Sequence, residues 1–282
     1  MLKVSIVCPR AALGQGRAGT DPAGTLVDVL GPRFVVATMA WIALLLAADT
    51  VASPVQQLVL GSATWVFLVL ALRAVTPLVR VQTLVVVGFA TVVEYVFSGW
   101  LGVYVYRLDQ VPAYVPPGHG LVYLAALSIG GLAWVRRYEH VLVPLTAAAV
   151  VAYAAYGLSP LAPRPDVVGA FWAGCLVVFL AVGRARTLYV GAFVVVTYLE
   201  LLGTHWGVWT WSPQDPTGLF TLGNPPSGAA GGYGWFDLAA VLAAPALLAR
   251  WRSVVAARAQ HPEHRVVKQP VGAHRVATVE GS

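Results

Sequence analysis

Two glutamates stand inside apolar runs of this chain, and the residues after each are alike. Glu94 opens EYVFSGWLGVYVYRLDQVPAYVPPGHGLVYL, and Glu200 opens ELLGTHWGVWTWSPQDPTGLFTLGNPPSGAAGGYGWFDL. Each leads to Gly-Val-aromatic-x-aromatic: Gly102-Val103-Tyr104-Val105-Tyr106 and Gly207-Val208-Trp209-Thr210-Trp211. A polar loop with a Pro pair comes next, Pro116-Pro117 or Pro225-Pro226, then a Gly-rich turn and a new apolar run. Glu94 lies eight residues before its glycine and Glu200 seven, and the second loop is longer. A carboxyl group in an apolar segment is costly, so both are candidate acids, bases or proton-coupling sites. The competing reading is structural glue, each Glu hydrogen-bonding a neighbouring helix. Recurrence at matched depth favours function.

Four residues are candidate catalytic groups: Glu94, Glu200, His119 and Asp237. His119 comes after Pro117-Gly118 at the mouth of an apolar run. Asp237 is placed at the start of the last helix, where a carboxylate also suits the helix dipole. His205 lies five residues after Glu200, about 140° round a helix, so the two do not share a face. No His-Glu-x-x-His or similar spacing supports a metal, and neither metal nor cofactor is expected.

Aromatics crowd the same stretches. Trp100, Tyr104, Tyr106, His205, Trp209, Trp211 and Tyr233 are the candidate substrate-binding residues. Most such aromatics in a membrane protein form an interface belt. Tyr-x-Tyr and Trp-x-Trp instead suggest extended backbone with one face turned inward, a wall for an apolar chain or a cation. The Pro-Pro and Gly runs read as loops, since Pro sets a rigid turn and Gly allows close approach. No Walker loop, dinucleotide fingerprint or nucleophile elbow is present.

The run Glu200-Leu-Leu-Gly-Thr-His-Trp-Gly-Val-Trp-Thr-Trp resembles a motif of polytopic carotenoid-hydratase membrane enzymes. There a Glu and spaced glycines precede an aromatic-x-aromatic pair and a Pro-containing loop. Membrane lycopene-cyclase domains have a related Gly-x-Trp-x-aromatic pattern before Pro-x-Glu. Pro225-Pro226-Ser227-Gly228 lacks that glutamate. The resemblance spans about a tenth of the chain and implies acid-assisted chemistry on an isoprenoid double bond.

The elements that must position these groups are membrane helices. Apolar residues make up 58 % of the 282 and charged residues 11 %, against about 25 % charged in soluble domains. Mean hydropathy is +0.73. The net charge of +6 sits at segment ends and in the C-terminal stretch, so it is no nucleic-acid signal. Cys8 and Cys175 form neither a disulfide framework nor a metal motif. Arg outnumbers Lys sixteen to two, which fits a GC-rich bacterial genome.

Apolar runs predict helices near 34–52, 56–73, 81–106, 119–135, 140–157, 167–183, 187–209 and 233–251. The expected fold is all-α: a polytopic bundle of about eight transmembrane helices in two four-helix halves, 34–135 and 136–252, forming a parallel internal repeat. Residues 1–33 read as a cytoplasmic extension or a mis-assigned start, and 253–282 as a disordered basic cytoplasmic tail. Arginines mark alternate loops: Arg73 and Arg80, Arg136 and Arg137, Arg184 and Arg186, then Arg250 and Arg252. The other loops hold Arg107 and Arg164, each near an Asp, and Arg107 is expected to pair with Asp109. Positive charge marks the cytoplasmic side, so both termini are expected inside a bacterial inner membrane.

Three functions fit. The first is an enzyme acting on an isoprenoid or other lipid, the second a proton-coupled transporter or flippase, the third a structural membrane subunit. The expected partners are membrane lipids and an apolar substrate, not nucleic acid.

Overall fold

Nine α-helices and one two-stranded ribbon make up the described residues. The computed structural model describes residues 22–260; residues 1–21 and 261–282 lie outside the described residues. The helices are α1 (Pro22–Asp49), α2 (Pro54–Arg73), α3 (Pro77–Glu94), α4 (Val115–Gly131), the short α5 (Ala133–Arg137), α6 (Glu139–Leu158), α7 (Val167–Val182), α8 (Arg186–His205) and α9 (Ala229–Gln260). The strands are β1 (Tyr104–Tyr106) and β2 (Trp209–Trp211). The expected extension to residue 33 runs into α1, which kinks at Gly31, and the expected tail starts inside α9.

Helix starts obey local chemistry. Ser53 and Gln56 form a capping box on α2, with Pro54 in the first turn. Thr76 caps α3 ahead of Pro77. Pro116 and Pro117, read from the sequence as loop residues, lie in the first turn of α4. Proline is tolerated there because the first N–H groups have no helical partner.

Among the described residues, six helices are long and apolar enough to cross a membrane: Leu30–Asp49, Pro54–Arg73, Pro77–Trp100, Glu139–Leu158, Arg186–His205 and Ala229–Ala257. Large apolar side chains cover their outer faces, Leu44, Val59 and Leu242 among them. Surface of that kind suits hydrocarbon, not water. The chain is a helical membrane bundle whose outer surface contacts lipid. α7 is apolar but shorter, and α4 has 17 residues. α4 lies at the centre, buried on nearly every side, packed closest on α8 and flanked by α1, α2 and α3. α3 packs chiefly on α9.

The helices expected over 81–106 and 187–209 end earlier. After Glu94, α3 widens into a π-helical turn, Tyr95–Trp100, closed by the bond from Leu101 N–H to Val96 O. Gly102 (φ 61°) and Gly207 (φ 69°) then turn the backbone through the left-handed region. The chain leaves both turns extended. β1 and β2 pair antiparallel in the register Tyr104↔Trp211, Val105↔Thr210 and Tyr106↔Trp209. The first and third residues of each strand point inward, and Val105 and Thr210 face out. A π-turn holds one more residue than an α-turn. It therefore absorbs the extra residue between Glu94 and Gly102 and brings both glutamates against the ribbon.

Candidate functional site

The ribbon roofs a cavity of about 400 Å³ in the middle of the bundle. Its walls are mainly apolar and aromatic, drawn from α1, α2, α3, α4, α7, α8, α9 and both strands. Glu94 and Glu200, 6 % and 4 % exposed, are the two carboxyl groups that line it.

The two glutamates are held alike but by different donors. Oε2 of Glu94 accepts hydrogen bonds from the hydroxyls of Tyr104 (2.9 Å) and Tyr106 (2.8 Å). Oε2 of Glu200 accepts from the indole N–H groups of Trp209 and Trp211, both at 3.1 Å. Alternation along each strand makes this possible, because residues two apart share a face. Gly203 clears the space for Trp209, since a Cβ there would overlap the indole ring. Glycine spacing on α8 thus serves the fit of this tryptophan.

His119 completes the Glu94 side. It sits in the second turn of α4, stacked on Tyr233 with ring centroids 5.1 Å apart. Its Nε2 lies 3.3 Å from Oε1 of Glu94, and its Nδ1 lies 3.0 Å from the carbonyl of Val115. A carbonyl only accepts, so Nδ1 carries a hydrogen and Nε2 is the basic nitrogen. The short Nε2 to Oε1 contact is attractive when one proton lies between them, on the ring or on the carboxyl. Oε1 of Glu94 and Nε2 of His119 are thus placed for a proton to pass between them. Glu200 has no such neighbour. Indole N–H only donates, so Trp209 and Trp211 fix and screen the carboxyl group without exchanging protons with it.

Outside the membrane helices the strand tyrosines respond to the same charge. Burial first, then the Glu94 carboxylate, pushes the hydroxyls of Tyr104 and Tyr106 well above the ordinary tyrosine value. Both stay protonated donors at any physiological pH.

Of the remaining sequence candidates, Tyr104, Tyr106, Trp209, Trp211 and Tyr233 line the cavity, and three residues do not. Trp100 is 80 % exposed at the end of the π-turn, as suits an interface belt. His205 is exposed at the end of α8. Asp237 is buried but lies two turns beyond the start of α9, not in its first turn, because the helix begins at Ala229. It sits one turn past Tyr233, and its Oδ2 makes no hydrogen bond.

Two supporting acids escaped the sequence reading. Asp49, at the end of α1, accepts from Gln57 at 2.7 Å and lies 3.6 Å from Arg107. Arg107 therefore pairs with Asp49, not Asp109, and also donates to the carbonyl of Ala52. Asp166 caps α7 and accepts from the N–H groups of Gly169 (3.0 Å), Gly223 (2.7 Å) and Ser227 (2.6 Å). Beside it, Arg164 donates to the carbonyls of Trp211 and Gly223. These contacts tie the loop after β2 to α7 and so fix Trp211 over the cavity. Polar residues in short loops carry no periodic signal, and some of their partners are remote: Trp211 lies 47 positions from Arg164 and Ser227 61 from Asp166.

No protein-family model, curated protein or solved structure matches this chain.

Proposed function

We propose that this protein is a membrane enzyme that transfers a proton to or from an isoprenoid or other apolar lipid. Glu94 and His119 are the proton-transfer pair. Glu200 lies across the cavity, and with the aromatic faces it stabilises positive charge on the substrate. The observation that carries the reading is the Glu94–His119 pair in the wall of an otherwise apolar cavity. Tyr104, Tyr106, Trp209, Trp211 and Tyr233 shape the slot. Asp237, buried one turn past Tyr233 and outside the cavity lining, does not touch the substrate. The resemblance of the Glu200 stretch to carotenoid-modifying enzymes agrees with this assignment.

The proposed topology is eight crossings in two four-helix halves, with both termini in the cytoplasm of a bacterium. Support comes from the arginines: among the described residues, those other than Arg107 and Arg164 lie near helix ends away from the ribbon. The two at the ribbon end, Arg107 and Arg164, are committed to internal bonds. Support for a repeat comes from the ribbon. Its register pairs each first aromatic with the other copy's second. The bonds from Arg107 N–H to Val208 O and from Ser212 N–H to Val103 O are related by the same exchange.

A proton-coupled transporter is the second reading, favoured by the same paired carboxyl groups. Lipid and pigment profiling separates the two, using a host that expresses wild type, Glu94→Gln or Glu200→Gln. An enzyme gives a new or missing species that depends on Glu94. An unchanged profile with folded protein in the membrane overturns the enzyme reading and leaves transport or a structural role.

A further inference from the structure

A proton-transfer site in this cavity needs a source of protons, and the cavity walls are mainly carbon. On the ribbon side Tyr104, Tyr106, Trp209 and Trp211 already donate to the two glutamates, and the remaining polar side chain is that of Tyr114. Its side chain lines the cavity and is 3 % exposed, and its hydroxyl faces the Asp49 carboxyl at the margin of hydrogen-bonding geometry. A buried hydroxyl left in this state is unusual and costs stability, so it calls for a reason. The titratable and charged groups around it are Asp49 on α1, Arg107 after β1 and Glu94 on α3. Asp49 shows the same deficiency. It is fully buried, and Oδ2 makes no hydrogen bond although Nε of Arg107 lies 3.6 Å away. Arg107 keeps 24 % of its side chain exposed at the ribbon end of the bundle. Two unsatisfied oxygens thus stand in sequence between the aqueous surface at Arg107 and the cavity that holds Glu94.

We propose that Asp49 and Tyr114 form a proton path from the ribbon-end surface into the cavity, where it recharges the Glu94–His119 pair. The proposal rests on reading that pair as the proton-transfer site. A proton from water at the exposed edge of Arg107 reaches the buried Asp49 carboxyl group beside that guanidinium. The carboxyl group passes this proton to the Tyr114 oxygen as the Tyr114 hydroxyl releases its own toward Glu94. One O–H bond forms and one breaks at each station, and no electron is transferred. The hydroxyl ends as it began. Asp49 returns to its pairing with Arg107. Unsatisfied oxygens suit this task, since a relay group tied into fixed bonds at both ends would have to break them at each turn.

Tyr114→Phe is a discriminating variant. It removes one hydroxyl and keeps the ring, and Asp49 retains Gln57 and Arg107 as partners, so the fold is expected to be kept. Full-length protein is reconstituted in phosphatidylcholine vesicles of one orientation, without any lipid substrate. Protonation of Glu94 is tracked by infrared difference spectroscopy after an acid jump on one side, with Glu94→Gln identifying the band. An acid jump on the ribbon side is expected to protonate Glu94 rapidly in wild type. Tyr114→Phe and Asp49→Asn are each expected to slow this at least roughly tenfold, the low end of what a positioned proton-transfer group contributes. Tyr123→Phe, which alters a buried tyrosine of α4 outside the cavity lining, is expected to leave the rate unchanged. Wild-type rates in folded Tyr114→Phe overturn the path, as does equally fast protonation from the arginine side. The readout does not use turnover. A working path beside an unchanged lipid profile therefore removes the enzyme reading and leaves this one standing.

Discussion

Oε1 of Glu94 and Nε2 of His119 lie 3.3 Å apart in the wall of an apolar cavity. Because Nδ1 is committed to the Val115 carbonyl, Nε2 is the ring nitrogen that can exchange a proton with Glu94. Glu94→Gln keeps the shape and still accepts from Tyr104 and Tyr106, but it cannot exchange that proton. Product formation is expected to fall by about 10²–10⁴, the usual contribution of a general acid or base, with thermal stability in detergent little changed. A variant that retains full turnover would remove Glu94 from the chemistry.

Glu200 and its tryptophans behave differently. Glu200→Gln offers its side-chain carbonyl to both indole N–H groups, so the ribbon stays in place. Trp209→Phe and Trp211→Phe instead each leave a buried carboxyl group short of one donor. Each is expected to destabilise by about 1–3 kcal/mol. Thermal unfolding of the four proteins checks the ranking: wild type and Glu200→Gln above the two phenylalanine variants.

Gly203 carries no chemistry, yet one methyl group there is expected to disturb the site. A Cβ at this position overlaps the ring of Trp209. Overpacking of this kind costs about 1–3 kcal/mol. Gly203→Ala is expected to shift the tryptophan fluorescence and lower the unfolding temperature together. An unchanged emission spectrum at full stability would place Trp209 elsewhere.

Asp166 is expected to act from a distance. Its carboxylate satisfies three backbone N–H groups that join α7 to the loop after β2. Asp166→Ala orphans all three, at about 1–3 kcal/mol for each buried group that water does not reach. Limited proteolysis is the measurement: cutting between residues 212 and 228 is expected to quicken in the variant and not in wild type.

High pH tests the roof of the cavity. The folded-state values of Tyr104 and Tyr106 lie well above the ordinary 10.0 of the unfolded chain. Between those values the folded form binds more protons than the unfolded form, so stability is full below pH 10 and falls as pH rises beyond it. Tyrosinate absorbance from these two residues is expected to appear together with unfolding. An early, reversible titration of both would contradict their burial.

Much of this molecule is legible in one dimension, and the reason is physical. Hydrocarbon demands long apolar helices, so composition alone marked a membrane bundle. Glu94 and Glu200 stood out because ionisable groups are rare in such runs, and the Tyr-x-Tyr and Trp-x-Trp spacing carried the period of an extended chain. The chain order could not decide which groups meet. His119 reaches Glu94, and His205, equally prominent in sequence, faces away, because the rotation of α4 and α8 in the bundle sets their directions. Arg107 bypasses Asp109, two residues on, for Asp49, which lies far back in the chain but beside it in space. The added residue after Glu94 looked like an imperfection of the match, and only the π-turn made it neutral. Local chemistry fixes where helices start and what they bury; the partners of a polar side chain are fixed by packing between segments, which leaves no periodic trace in the sequence.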